Sequence, residues 1–508
     1  MESRSRDSAC VMVQAGSPLP TVSGLLEPLL SQSPVGRYEA ELSSAGKLDR
    51  LSSGTFASQA TTCRSVLSPV HRLPNELLLR IFECCRPDAY KKLSPVSPAE
   101  EVDCISHRHL LHLAQVSSLW HLIVMEAPKL WSNIVLNATL WEQCDLPAET
   151  LLDLLEVALN RGQDHDLKLK VAIIPEYAES LLKLLTKHAH RWRNAHIGSR
   201  AGFESGNYLS NATGRLARLE KLQLVGWWKD AEAFQTAPVL TEVTLAGSVK
   251  RLPPLPWAQI QKCTYRAGKS SRSAYLALAA LALAPSTTAF TFDLNFLESE
   301  ADEGWDFEIT SDVPRIAFTL TVDNAATVGQ LFDCLTLPSL QSLSLYHAVH
   351  TMTPVWCTEQ FLCLADRSGF AQNLKRLSIH VEVSDVDLLR SLEVLPRLED
   401  LVLMDCPDVE AVVTDSLLQA LIHVPDVPCL LPHLRFLCLR TVLAFTDSVY
   451  TDFVVSRVHS LCTVDGHGSF KAYLWWRSEQ KRAAPWQMIK ELRKLVSQGV
   501  LIFDYGQG

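Results

Sequence analysis

Residues 398–403 read Leu398-Glu-Asp-Leu401-Val-Leu403, and residues 374–379 read Leu374-Lys-Arg-Leu377-Ser-Ile379. The same order of an apolar residue, two others, then two apolar residues spaced by one recurs along the chain. It stands at Leu219-Glu-Lys-Leu222-Gln-Leu224, Leu240-Thr-Glu-Val243-Thr-Leu245, Ile260-Gln-Lys-Cys263-Thr-Tyr265, Leu340-Gln-Ser-Leu343-Ser-Leu345 and Leu434-Arg-Phe-Leu437-Cys-Leu439. Weaker copies centre on Phe290-Thr-Phe292 and Ile316-Ala-Phe318. The closing alternation has the period of a strand with one buried face. In several units a proline, Pro238, Pro338, Pro396 or Pro432, precedes the first apolar residue and places a turn ahead of that strand.

Between these strands, stretches such as Asp385 to Leu395 and Thr414 to His423 carry helical leucine spacing. Successive repeats start from 20 residues apart (Leu240 to Ile260) to 36 apart (Leu398 to Leu434). Strand plus helix at this period resembles an irregular leucine-rich-repeat solenoid, with short parallel strands and helices on the outer face. Such units cannot bury their own faces alone, so they stack on one continuous core. A compact α/β domain with Leu-rich strands is the alternative.

Upstream, residues 67–82 read LSPVHRLPNELLLRIF. Pro74 suits a first helical turn, where its missing N–H costs nothing, and Glu76 complements the positive end of the helix. Leu77, Leu78, Ile81 and Phe82 then gather into an apolar stripe. Arg86-Pro87-Asp88 ends this helix, and residues 87–104, with Pro95 and Pro98, read as an exposed insertion. A second helical stretch spans Ile105 to Met125, Ala127-Pro128 stops it, and Leu130 to Leu136 reads as a strand.

This α-helical segment, LPNELLLRIFECC followed by LAQVSSLWHLIVMEAPKLWSNI, resembles the F-box, and most closely the F-box proteins abundant in mushroom-forming fungi. The matching positions are Leu73, Pro74, Glu76, Leu77, Ile81, Val116, Trp120, Pro128, Leu130 and Trp131. The sequence departs from the family at Ser117-Ser118-Leu119, where a Cys and basic residues often stand, and at the insertion. The resemblance implies docking on a Skp-family adaptor through Leu73, Pro74, Glu76, Leu77, Ile81, Val116 and Trp120. Through that adaptor it implies a place in an SCF-type (cullin–RING) ubiquitin ligase, with the repeats binding a target protein. The alternative is an interaction scaffold whose F-box-like module no longer docks.

The expected organisation is thus a Ser-rich disordered leader (1–66), the F-box-like module (67–136), the repeats (137–470) and a C-terminal capping segment (471–508). The cap carries Tyr473-Leu-Trp475-Trp476, a helical pattern over Ile489 to Val500 and a last strand at Val500 to Phe503. Glu220, Lys221, Gln223, Glu242, Thr244, Lys262, Gln341, Ser344, Lys375, Arg376, Ser378, Glu399, Asp400 and Arg435 stand exposed between patterned apolar residues. Their mixed signs name no ligand class.

Composition bounds the other possibilities. With 508 residues, 47% of them hydrophobic, the chain has ample core material. A net charge of −9 offers no general attraction to nucleic acid or an anionic membrane. The basic cluster Lys187 to Arg193 reads as a solvated helix end beside a buried Trp192. The longest apolar run, Ala274 to Ala284, is about half a membrane span. No secretory pattern opens the chain, and the 14 cysteines are scattered without Cys-x-x-Cys. A cytoplasmic or nuclear protein without cofactor is the expectation.

Catalytic and metal motifs are weak. Ala267-Gly268-Lys269-Ser270 lacks the first glycine of a P-loop, and Gly466-His467-Gly468-Ser469 lacks the Gly-x-Ser-x-Gly order. Cys104, His107, His109 and His112 fan around a helix and cannot converge on one ion. No catalytic residue and no metal ligand is assigned, and the chain reads as a non-enzyme.

Overall fold

The computed structural model describes residues 70, 73–85, 108–138, 141, 147–199, 207–226, 231–247, 251–267, 271–295, 307–321, 327–348, 353–406, 409–424, 427–464, 469–476 and 486–507. The leader, the insertion at 87–104 and the glycine-bearing segments 268–270 and 465–468 lie outside these residues. The fold is mixed α/β, a helical region followed by a long parallel sheet, and it divides into residues 1–165 and 166–508.

The first unit holds α1 (Asn75–Cys84), α2 (Arg108–Ala114), α3 (Ser118–Glu126), α4 (Pro128–Trp131), β1 (Asn133–Asn137) and α5 (Ala148–Arg161). Pro74 stands one residue before α1, with extended ψ of 149°, and its carbonyl accepts from the N–H of Leu77 and Leu78 at 3.0 and 3.1 Å. The single helix expected over Ile105 to Met125 is two, because Ser117 is extended and its hydroxyl accepts from Trp120 N–H at 3.2 Å. Ser117 is therefore a helix cap. Leu130 and Trp131 belong to α4 rather than to a strand, with Pro128 in the first turn where proline fits. Trp131 anchors this exit by donating its Nε1–H to Val124 O at 2.7 Å, and Arg161 lies over its ring at 5.2 Å. Lys129 reaches back to Glu83 at 2.8 Å.

The second unit is built on β2 (Leu167–Ile173), β3 (Trp192–Ser199), β4 (Lys221–Val225), β5 (Glu242–Gly247), β6 (Lys262–Ala267), β7 (Ala289–Asn295), β8 (Ile309–Thr310), β9 (Arg315–Thr321), β10 (Leu335–Thr336), β11 (Ser342–His347), β12 (Arg376–His380), β13 (Asp400–Met404), β14 (Phe436–Thr441), β15 (Phe470–Trp476) and β16 (Leu501–Gln507). Apart from β8 and β10, which pair with each other, each of these strands lies parallel to the next in chain order, and the sheet is not closed.

Every repeat quoted above is one of these strands, and their registers agree. The second apolar position forms the row Leu222, Val243, Cys263, Phe290, Ile316, Leu343, Leu377, Leu401 and Leu437. The third forms Leu224, Leu245, Tyr265, Phe292, Phe318, Leu345, Ile379, Leu403 and Leu439. Both rows are buried. A slip of one residue would turn a whole row to solvent, so the pattern fixes the register. Each buried side chain contributes about 1.5–3 kcal/mol.

The first apolar position closes a turn. Leu240, Leu340, Leu398 and Leu434 donate their N–H to the residue three before, which is Ala237, Leu337, Leu395 and Leu431, with the proline at the second turn position. The residue after it offers its carbonyl to the next repeat. Glu220 O accepts from Thr241 and Glu242, Gln341 O from Lys375 and Arg376, and Glu399 O from Arg435 and Phe436.

Helices do not follow every strand. After β4 and β5 the connections are 3-10 turns at Ala231–Phe234 and Trp257–Gln259, because repeats 20 or 21 residues long leave no room for more. Later connections carry α6 (Pro175–Lys187, between β2 and β3), α7 (Ser271–Ala279), α8 (Thr327–Asp333), α9 (Thr358–Ser368), α10 (Asp385–Glu393), α11 (Asp415–Ala420), α12 (Asp447–Val464) and α13 (Trp486–Ser497). From α8 onward each helix packs on the next. The sheet also runs past both ends of the recognised repeats. Ile197 of β3 and Leu474 of β15 extend the third-position row, although neither strand has the full six-residue pattern.

Candidate functional site

Helix α1 is apolar on two sides. Leu78 and Phe82 are fully buried, whereas Leu77 and Ile81 are 47% and 38% exposed. The stripe expected as one surface is thus split: one pair holds the module together, and the other, one helical turn apart, faces solvent. Pro74 and Glu76 are exposed beside them, and Leu73 is half-buried. Val116, 47% exposed, lies in the turn between α2 and α3. Trp120 is half-buried and packs on Phe82 with ring centroids 4.7 Å apart, so it joins α3 to α1. Leu122, absent from the residues singled out by sequence, is 50% exposed on α3. An exposed leucine in an amphipathic helix carries no signal of its own until the buried side is known.

Exposed aliphatic side chains on a short helix, backed by a buried pair, fit a helix-in-groove contact.

In the second unit, most charges expected to face a ligand are paired along the strand starts. Lys221 meets Glu242 at 2.7 Å, Lys375 meets Glu399 at 2.9 Å, and Arg376 meets Asp400 at 2.6 Å. Arg193 bridges Asp166 and Glu220, and these contacts raise its pKa. Gln223, Thr244, Ser344 and Ser378 are half-buried between neighbouring strands, and Lys262, Gln341 and Arg435 are exposed. Trp192 is buried as expected, but Arg191 is buried too. His196 is pushed down to about 4, first by burial and then by the positive charges of Lys170 and Arg266. Buried Cys263 and Cys334 have thiols pushed up to about 12 by desolvation, unsuited to nucleophilic work at neutral pH.

A third feature was not found from sequence. His347, His380 and Cys406 come together at the C-terminal ends of β11, β12 and β13. They follow the last apolar position of their repeats by two, one and three residues, so no fixed spacing marks them. Aligning repeats by strand register would have brought them together. Of the earlier histidine set, His109 and His112 lie on α2, while Cys104 and His107 lie outside the described residues.

No helix among the described residues is long and apolar enough to cross a membrane. Residues 70–137 match the family model described as F-box-like. No curated protein matches the chain.

Proposed function

We propose that this chain is the substrate-recognition subunit of an SCF-type (cullin–RING) ubiquitin ligase. Its F-box docks on a Skp-family adaptor, and its repeats form a leucine-rich-repeat solenoid that holds a target protein. The observation that carries this reading is the pair Leu77 and Ile81, exposed on a helix whose other side is buried, within the segment that matches the F-box-like family. Leu73, Pro74, Glu76, Val116 and Trp120 complete the docking surface, with Trp120 also serving the module's own packing. The chain itself is not an enzyme in this reading. It contributes proximity, holding the target near a ubiquitin carrier bound to other subunits. It acts in the cytoplasm or nucleus, where those subunits reside.

The test is a pull-down of the full chain with a Skp-family adaptor, alongside Leu77→Asp and Leu73→Ala/Pro74→Ala variants whose folding is checked by circular dichroism. Capture by the wild-type chain and a loss of at least about tenfold in the folded variants is expected. Failure of the wild-type chain to bind would leave a scaffold with a non-docking F-box, and the ubiquitin reading would go.

A further inference from the structure

The rim formed by the ends of β11, β12 and β13 carries three metal-ligand side chains that the proposed function does not use. His347 is the last residue of β11, His380 the last of β12, and Cys406 stands two residues beyond β13. These strands are immediate neighbours, with Tyr346 opposite His380 and Ile379 opposite Leu403. One ligand atom from each of the three side chains lies within 4.8 Å of the other two. The imidazoles stand edge to face, 5.7 Å apart at 82°. His347 and Cys406 are 6% and 3% exposed, while half-buried His380 leaves a route from solvent.

Two imidazoles and a thiol form a borderline-soft donor set. It suits zinc, and it is wrong for magnesium or calcium, which take oxygen ligands. Zinc holds nitrogen at about 2.0–2.1 Å and sulfur at about 2.3 Å, so donors around a tetrahedral ion stand about 3.5 Å apart. The cluster needs a contraction of about 1 Å to reach that geometry, within the range of side-chain torsions. The backbone beside Cys406 is held in place. Asp405, 3% exposed, accepts from Val412 N–H at 3.1 Å, Thr441 Oγ1 at 2.7 Å and Val442 N–H at 2.7 Å. That carboxylate fixes the loop from which the thiol projects.

We propose that His347, His380 and Cys406 bind one zinc ion that ties the ends of three consecutive strands. Three protein donors leave the fourth position to water or to a donor from a bound partner. Binding displaces the thiol proton, so it strengthens as pH rises. The ion adds its binding free energy to the folded state, because the three ligands meet only when the strands have stacked.

The test uses the reduced, metal-stripped full chain without an affinity tag, titrated with Co2+ and then Zn2+. A single equivalent of Co2+ is expected to give a thiolate-to-metal charge-transfer band that Zn2+ abolishes. Cys406→Ser should remove the band, and His380→Gln should weaken Co2+ binding by at least about tenfold. Cys84→Ser/Cys85→Ser, which alters an exposed pair in the other unit, should leave both unchanged. Circular dichroism establishes that each variant is folded. His380 is half-buried, so its variant still decides the question if Cys406→Ser does not fold. Absence of the band in the folded wild-type chain overturns the proposal. So does a band of unchanged intensity and affinity in either Cys406→Ser or His380→Gln.

Discussion

His196 is the residue whose charge state says most about the exposed strand face. It stands opposite Lys170 on β2 and Gln223 on β4, with the charge of Arg266 also felt. Its folded-state pKa of about 4 lies below the 6.5 of an unfolded histidine, so the unfolded chain binds a proton first as pH falls. The associated stability is complete above pH 6.5 and is lost between about 6.5 and 4, by up to about 3 kcal/mol. His196→Gln should flatten that part of a urea-denaturation pH series. An unchanged slope would place the titration elsewhere. Asp405 makes a different kind of contribution, since its buried carboxylate satisfies two backbone N–H groups and one hydroxyl. Asp405→Ala leaves those donors without it and should cost about 2–4 kcal/mol. Asp405→Asn keeps one accepting oxygen and should fall between. A loss under about 1 kcal/mol for the alanine variant, the worth of one ordinary hydrogen bond, would mean that water replaces the carboxylate.

At the scale of elements, helix α1 separates buried from exposed apolar residues by a single residue of offset. Phe82→Ala removes a fully buried ring that also supports Trp120, and should cost about 3–5 kcal/mol of stability. Ile81→Ser, at a position 38% exposed, should change stability by about 0.5 kcal/mol or less while weakening adaptor capture. Equal destabilisation by the two would mean that Ile81 is covered within this chain. The apolar stripe was legible in sequence, but its division was not, because helical spacing groups Leu77, Leu78, Ile81 and Phe82 without saying which neighbours lie on either side. The strands were legible for a better reason. A buried position repeated at period two, after a turn closed by a leucine, leaves one register. Strands β2, β3 and β15 escaped because their alternation lacks that leading turn, whereas β16 was expected at Val500 to Phe503 and runs on to Gln507. Helices on the outer face were expected from the longer later repeats; the 20- and 21-residue repeats after β4 and β5 are too short for one and carry 3-10 turns instead. The His–His–Cys rim was invisible because its residues follow their strands at unequal offsets and meet only across the sheet.

Over the whole second unit, each repeat contacts chiefly the ones before and after it, through the shared carbonyl ladder and the two apolar rows. Damage should therefore stay local. Arg457 allows a direct check. It lies 1% exposed within α12 and donates from Nε to Leu421 O at 2.8 Å, from Nη1 to Leu431 O at 2.7 Å and from Nη2 to Leu430 O at 2.7 Å. Leu421 ends α11, and Leu431, held at φ of +53°, begins the turn into β14. One guanidinium thus joins a helix end, a strained turn and the helix that follows. A lysine ammonium lacks the fork to reach all three carbonyls, so Arg457→Lys should release the turn at a cost of about 3 kcal/mol. If coupling runs mainly between neighbours, hydrogen exchange should accelerate in Phe436–Thr441 and Phe470–Trp476 and stay unchanged in Lys221–Val225 and Glu242–Gly247. An equal loss of protection across all four strands would show instead that the sheet unfolds as one unit, with the apolar rows carrying cooperativity from end to end.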